Sequence, residues 1–156
     1  MRVTILSVGH KMPAWIQEGF TEYTRRMPPE IRVDLVEVKP EERGGGRSAD
    51  KAKVVEGERL LAVVPEGATL IALDERGKAV ATKGLAVMLS AWMRDASRPV
   101  FAIGGADGLS DAVKERADKL LTLSELTLPH GMVRVVLAEQ LYRAWSILAG
   151  HPYHRE

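Results

Sequence analysis

The 156-residue chain contains no cysteine. This absence excludes disulfide scaffolds, zinc fingers, cysteine nucleophiles and iron–sulfur clusters. A surplus of one charge sign is also lacking, because 22 Lys and Arg stand against 21 Asp and Glu, for a formal net charge of +1. A polybasic arm or an acidic tail is therefore not the main feature of the protein, although a local basic patch stays open.

Long apolar runs are missing as well. No stretch reaches the roughly 20 apolar residues that a membrane-spanning helix needs. The N-terminus, MRVTILSVGHKMP, has only a short apolar run and lacks the cleavage site of a secretory signal. Hydrophobic residues make up 46% of the chain, which is typical of a globular protein. We therefore expect a soluble, cytoplasmic protein with no membrane partner.

The sequence alternates short β-like runs with longer amphipathic runs, and its length fits one domain over residues 1–156. Apolar and β-branched runs predict strands over 3–8, 31–38, 69–73, 100–103 and 120–123. Three-and-four spacing and capping residues predict helices over 14–27, 48–64, 82–94, 110–117 and 132–148, and residues 74–78 resemble a polar turn. This alternation predicts an α/β fold with a mostly parallel sheet and helices on both faces.

Ligands of such sheets bind beyond the carboxyl ends of the strands, which directs attention to the loops after Leu73, Ile103 and Leu123. The loop 104–108, GGADG, follows a buried strand but matches neither the dinucleotide fingerprint nor a phosphate loop. A glycine-rich turn without a ligand is therefore an equal alternative. The apolar loop over 123–130 either covers a flat apolar ligand or packs into the core.

The last predicted helix is apolar over more than one side, so it needs a second partner besides the sheet. That partner is either another subunit or the neighbouring helices of a monomer. Glu139 and Arg143 are four residues apart on this helix, and their spacing also suits an ordinary surface ion pair.

Histidines cluster near the C-terminus, where His130, His151 and His154 lie within the last 27 residues. A metal-dependent hydrolase is one interpretation, but the spacing matches no metal motif, and a free polar tail is the commoner explanation. A basic loop around Gly44-Gly45-Gly46 is a second candidate feature, for contact with nucleic acid or simply with water. Its basic residues are Lys39, Arg43, Arg47, Lys51 and Lys53.

The segment LTLPHGMVRVVLAEQLYRAWSILAGHPYHRE closely resembles the RlmH (YbeA-like) family, the smallest members of the SPOUT class of methyltransferases. The resemblance extends to VGHKMPAWIQEGFTEYTRRMP and IGGADGLS, and so covers essentially the whole chain. It implies a SPOUT-like fold with a C-terminal trefoil knot, a homodimer, and methylation of N3 of a pseudouridine in large-subunit (23S) ribosomal RNA within the assembled ribosome. The methyl donor would be S-adenosyl-L-methionine, with no metal.

Residue by residue, the resemblance also implies the site. The cofactor pocket would be formed by Leu73, Gly104, Gly105, Leu123, Ser124, Glu125, Leu126, Thr127, Leu128 and Pro129. The catalytic candidates are His130, Glu139, Tyr142, Arg143, Tyr153, His154 and Arg155.

The roles implied for these residues are hypotheses. His154 or Glu139 would assist removal of the N3 proton, because the imide is protonated at neutral pH. Arg155 would stabilise a uracil carbonyl or bind phosphate, and Tyr153 would stack on the base. A ribosome-docking dimer without catalysis is the competing class, and it would require a broken cofactor pocket.

Overall fold

The computed structural model describes residues 1–46 and 48–155, so Arg47 of the basic loop and Glu156 lie outside the described residues. The described strands are β1 (Arg2–Val8), β2 (Arg32–Val38), β3 (Thr69–Ala79), β4 (Pro99–Ile103) and β5 (Lys119–Thr122). The described helices are α1 (Ala14–Thr24), α2 (Ala49–Ala62), α3 (Thr82–Arg94), α4 (Asp111–Arg116) and α5 (His130–Ala149), followed by a 3₁₀ turn over Pro152–Arg155.

The described strands form one sheet in the order β2-β1-β4-β3-β5, and every neighbouring pair is parallel. Strand β4 lies in the middle, and all of its residues are buried. Its continuous apolar sequence fits this position, because helices cover both faces of a parallel sheet. The predicted α/β fold with a parallel sheet is confirmed.

Helices lie on both faces of the sheet, as predicted. Helices α1, α3 and α5 cover one face, where Phe20, Leu89 and Leu137 contribute to a single apolar cluster. Helices α2 and α4 cover the other face through Leu60 and Val113. Burying each large aliphatic side chain stabilises the fold by roughly 1.5–3 kcal/mol. The trefoil knot implied by the resemblance stays a prediction.

The polar turn predicted over residues 74–78 is wrong, because β3 continues to Ala79. A bulge absorbs the polar segment, since Leu73 and Lys78 both pair with Leu121 of β5. Gly77 permits this close pairing, because a Cβ there would lie 2.4 Å from the carbonyl carbon of Leu121. A turn-like composition therefore marks an irregular strand here.

Helix boundaries also differ from the prediction, among them the end of α1 and the start of α5. Helix α1 ends at Thr24, not at residue 27, because the chain tightens into three-residue turns such as Met27 N–H to Thr24 C=O. Helix α5 begins at His130, two residues earlier than predicted, with Pro129 in the capping position. Gly150 ends α5, as expected, in the left-handed conformation that glycine adopts readily.

Helix α5 lies between two other helices of the same chain. It approaches α1 so closely that a Cβ on Gly19 would lie 3.2 Å from Val135. It meets α3 where the hydroxyl of Thr82 donates to Gln140 at 2.7 Å. Neighbouring helices therefore contact α5 besides the sheet, and contact with another subunit stays a prediction. None of the described helices is long and apolar enough to cross a membrane.

Candidate active site

Two of the three loops selected from the sequence follow β4 and β5, and the third position, after Leu73, is the bulge within β3, the strand between them. Leu73 of β3 is paired with Ile103 of β4 on one side and with Leu121 of β5 on the other. The carboxyl ends of β4 and β5 therefore lie on either side of the bulge after Leu73, and β3 itself continues to Ala79. This is the edge of a parallel sheet at which ligands bind.

The loop over 123–129 is not buried in the core as a whole. Leu123 packs against the core on one face, but the side chain of Leu126 is 76% exposed. An exposed leucine in a loop at the ligand-binding edge offers apolar surface for a planar ring. This loop contains no Lys or Arg, so it does not repel a cationic ligand such as a sulfonium. These features fit S-adenosylmethionine.

The loop over residues 104–108, which we call the glycine loop, requires glycine at position 104 because the backbone passes too close for a side chain. A Cβ there would lie 2.4 Å from the carbonyl carbon of Gly108 and 2.6 Å from its oxygen. The loop therefore closes on itself through Gly104, and Gly108 N–H donates to Gly105 C=O at 3.1 Å. The glycines alone do not reveal a ligand, but they make a compact loop with exposed backbone.

A second group of predicted residues gathers around the carboxylate of Glu139. The Tyr153 hydroxyl donates to Glu139 Oε1 at 3.0 Å, and Arg143 Nε donates to the same oxygen at 2.8 Å. Gln140 Nε2 donates to Oε2 at 2.7 Å. The rings of Tyr142 and Tyr153 are 4.7 Å apart. The pair of Glu139 and Arg143 is thus part of a partly buried network rather than a simple surface pair.

The C-terminal segment reaches this network because the chain reverses direction at Gly150. Gly150 has φ +68°, and the next amide, His151 N–H, donates back to Ser146 C=O at 2.9 Å. The 3₁₀ turn then lies against α5, with His154 Nδ1 3.3 Å from the Ser146 hydroxyl. The free polar tail proposed as the commoner explanation is therefore wrong for residues 151–155, although Arg155 is exposed.

Two donors in this network, Tyr153 and Arg143, have a raised pKa and so keep their protons. Burial, followed by the hydrogen bond to Glu139, raises the pKa of Tyr153 above its usual range. The phenol thus keeps its proton and remains a donor. The hydrogen bond to Glu139 likewise raises the pKa of Arg143, so this side chain remains a cation.

Two clefts lie between the end of β5 and the residues around Glu139, which we call the Glu139 network. The larger, of about 660 Å³, is lined by Thr82, Lys83, Glu139, Gln140, Arg143, Ile147 and His154. The smaller, of about 230 Å³, is lined by Val80, Ala81, Thr82, Leu85, Leu123, Val136 and Gln140. Thr82 and Gln140 line both clefts, and Leu123 belongs to the predicted cofactor loop. The two clefts are therefore neighbours that share these two residues, with the smaller beside that loop and the larger beside the Glu139 network.

His130 lies apart from the other catalytic candidates. It is nine residues before Glu139 on α5, a separation of about 14 Å along the helix axis. Its neighbours are Gly9, whose added Cβ would lie 3.6 Å from His130 Nε2, and Arg134. Burial, and then the charge of Arg134, lowers the pKa of His130, so the imidazole is biased toward its neutral form.

Arg134 is a buried charge that the sequence analysis did not select. It is 1% exposed, and it donates to Glu37 at 2.9 Å and to the Ser7 hydroxyl at 3.1 Å. Its Nε is buried without a hydrogen-bond partner among residues 1–46 and 48–155. The signal was present in the sequence, because Arg134 stands among apolar residues of the last helix.

Three basic side chains that could contact RNA, two of them just after α1 and one in the basic loop, pair with carboxylates of the protein. Arg25 and Arg26 both pair with Glu22, and Arg26 also lies over the Tyr23 ring. Arg43, in the basic loop, is turned inward toward carboxylates. Lys51 of the same loop is exposed, and whether the loop contacts nucleic acid or only water stays a prediction.

The histidine cluster proposed for a metal is not assembled. Over the described part of the chain, no group of three or more His, Asp or Glu side chains is placed to hold a metal ion. His130 lies at the start of α5, whereas His151 and His154 follow its end. The hydrolase interpretation therefore gains no support from the geometry.

Comparison with known proteins identifies the family of the chain. The family model described as predicted SPOUT methyltransferase matches residues 1–154. A ribosomal RNA large subunit methyltransferase H from Burkholderia ambifaria (strain MC40-6) is 59% identical over 155 residues, 99% of each chain. A protein of the same name from Ralstonia pickettii (strain 12J) is 57% identical over the same share. These matches confirm the resemblance seen in the C-terminal motif.

Solved structures agree on the fold. A probable methyltransferase from Bordetella pertussis Tohama I superposes with a TM-score of 0.58, over 92% of this chain and 95% of that chain. Its sequence is 15% identical, so the match concerns the fold alone.

Proposed function

Because this chain belongs to the family of predicted SPOUT methyltransferases, we propose that it methylates ribosomal RNA of the large subunit. The finer proposal is transfer to N3 of a pseudouridine in the assembled ribosome, in the cytoplasm, by a homodimer. The observation that carries the proposal is a pair of clefts that lie between the ends of β3 and β5, at Val80 and Leu123, and the network around Glu139.

S-adenosylmethionine, when bound, supplies an electrophilic methyl group for an in-line displacement. The residues proposed to hold it are Leu73, Gly104, Gly105 and the loop over 123–129. Leu126 offers apolar surface for the adenine, and the backbone of the glycine loop offers close approach. Positioning of donor and acceptor is the main contribution that such a reaction needs from the protein.

His154 is the better candidate for accepting the N3 proton. Both oxygens of Glu139 already accept hydrogen bonds from the protein, so that carboxylate would have to release a donor first. His154 lines the larger cleft and uses Nδ1 toward Ser146, which leaves Nε2 for the substrate. In this proposal Glu139 instead positions Tyr153 and Arg143, and the tyrosine stacks on the flipped base.

The near-neutral charge suits a substrate recognised by its shape. Naked RNA attracts proteins mainly through phosphate contacts with Lys and Arg. Arg25, Arg26 and Arg43 are engaged with carboxylates of the protein. We therefore expect docking to depend on the assembled ribosomal surface, with exposed Arg155 among the groups that reach RNA.

The direct test is transfer of labelled methyl groups from S-adenosylmethionine to ribosomes that lack the modification. Label in large-subunit RNA is expected. Arg155→Ala should bind the cofactor normally but fail to methylate, whereas the exposed Arg2→Ala serves as a charge-matched control with full activity. Wild-type methylation by Arg155→Ala would exclude the role of the C-terminal segment, and cofactor binding without any transfer would favour the docking dimer.

The homodimer adds a further prediction. If the C-terminal segment acts in the cofactor pocket of the neighbouring subunit, mixing two inactive variants should restore activity. Arg155→Ala supplies an intact pocket, and Gly104→Ala supplies an intact segment. Activity of the mixture, with neither variant active alone, supports action between subunits, and an inactive mixture that forms mixed dimers contradicts it.

A further inference from the structure

An internal ion-pair network ties the basic loop to the glycine loop. Arg43, between β2 and α2, donates from Nη1 and Nη2 to Glu56 of α2 at 2.9 and 3.0 Å. Its Nε donates to Asp107, in the loop after β4, at 2.6 Å. Arg43 and Asp107 are 64 residues apart in the sequence. One guanidinium therefore bridges two loops that follow different strands.

Glu56 is the anchor of this network. It is 1% exposed, and besides Arg43 it accepts the backbone N–H of Glu41 at 3.0 Å. It also lies directly against the glycine loop, because a Cβ on Gly105 would be 3.3 Å from Glu56 Oε1. The buried carboxylate is thus satisfied by the basic loop and packed against the glycine loop.

The contact between Arg43 and Asp107 is not needed to neutralise Glu56. The two Nη groups of Arg43 already do so in a forked geometry. The side chains of Arg43 and Asp107 remain 29% and 35% exposed, and ion pairs of such exposure contribute little to stability. We therefore expect the hydrogen bond from Arg43 to Asp107 to hold the glycine loop in place. It fixes Asp107 beside Gly108, where the loop turns.

We propose that Arg43 and Asp107 are positioning residues that hold the glycine loop in its cofactor-binding form and link it to the basic loop. This inference rests on the proposed function, in which the glycine loop holds S-adenosylmethionine, and it adds that the basic loop, where Lys51 is exposed, faces the ribosome. Contact of the basic loop with the ribosome would then favour the arrangement that binds cofactor. Because coupling between binding sites is reciprocal, cofactor would strengthen ribosome binding by the same factor.

Asp107→Asn is the sharpest test, because it removes one charge at a partly exposed position and leaves Glu56 paired. Asp111→Asn is the matched control, since it removes the same charge four residues away, in the exposed first turn of α4. The measurement is the Kd of S-adenosylhomocysteine, by calorimetry, with and without intact ribosomes. This demethylated cofactor avoids turnover during the titration.

We expect Asp107→Asn to weaken binding about fivefold, at the low end of measured couplings between sites. Intact ribosomes should tighten binding to the wild-type protein and to Asp111→Asn, but have much less effect on Asp107→Asn. Arg43→Lys should behave like Asp107→Asn, because an ammonium cannot reproduce the fork that reaches both carboxylates. Melting temperatures within a few degrees of wild type would separate positioning from unfolding.

Different results would contradict the inference, the coupling to the ribosome and the proposed function. Unchanged affinity and unchanged ribosome dependence in Asp107→Asn would overturn the inference, as would an equal loss in Asp111→Asn. A wild-type protein whose cofactor affinity ignores the ribosome would overturn the coupling. A wild-type protein that binds no cofactor at all would instead refute the proposed function on which the inference rests.

Discussion

Arg134 carries a positive charge into the interior, and Glu37 is the carboxylate that balances it. The guanidinium is 1% exposed, whereas the Glu37 side chain is 35% exposed. Glu37→Gln keeps an oxygen that can accept the 2.9 Å hydrogen bond from Arg134 but removes the balancing charge. This substitution should therefore destabilise the protein by leaving a buried cation without its counter-ion.

The magnitude follows from the burial of the two partners. Breaking a fully buried ion pair costs about 3–5 kcal/mol, because the remaining charge is uncompensated. The partial exposure of Glu37 and the retained hydrogen bond reduce this figure, so we expect about 2 kcal/mol for Glu37→Gln. A domain of this size should then melt about 4–8 °C lower.

Replacing the buried cation itself should have a smaller effect. Arg134→Met fills similar space and removes the cost of desolvating the guanidinium, so it should lie within about 1.5 kcal/mol of wild type. The double variant with Glu37→Gln should be as stable as Arg134→Met alone, and more stable than Glu37→Gln alone. Urea unfolding at equal protein concentration, with unchanged m-values, measures all three. A stable Glu37→Gln, or a double variant no better than it, would refute this reasoning.

Three further predictions concern the site. Tyr153→Phe removes a donor to the α5 carboxylate, so stability should fall by about 1 kcal/mol and amide exchange over 151–155 should rise; unchanged exchange would contradict the packing. Gly104→Ala should cost about 1–3 kcal/mol through a backbone clash, whereas Gly84→Ala, in an open part of α3, should stabilise by about 0.5–1 kcal/mol in urea unfolding. Burial lowers the pKa of His130 below its usual 6.5, so the unfolded chain binds more protons; this stability is complete above pH 6.5 and is lost as pH falls. His130→Gln should therefore show a flatter decline in unfolding free energy below pH 6.5, and an unchanged slope would contradict the burial.

The regular parts of the fold could be predicted because their sequence patterns are local. The apolar run of β4 predicts a strand buried on both faces, and that is its place in the sheet. The bulge after Leu73 could not be predicted, because its polar sequence is stabilised by pairing with β5, far along the chain. Tertiary pairing decides the structure of such segments.

The candidate site was predictable only in part. The loops after β4 and β5 follow from the rule for parallel sheets, and the C-terminal residues follow from the family motif. Packing of the 3₁₀ turn on α5 depends on the reversal at Gly150 and on Tyr153 reaching Glu139, and composition shows neither. Glu56 was missed although its spacing of four from Ala52 and Leu60 places it on the buried face of α2.

The most direct test of the central claim is the identity of the methylated nucleoside. Purified protein, S-adenosylmethionine carrying an isotopic methyl group and ribosomes lacking the modification would be incubated, beside an equal amount of naked ribosomal RNA. Mass spectrometry of the digested RNA should find methyl-pseudouridine with the label at N3, and only from intact ribosomes. A labelled nucleoside of another kind, equal labelling of naked RNA, or no label despite cofactor binding would contradict the proposed activity and its dependence on the assembled ribosome.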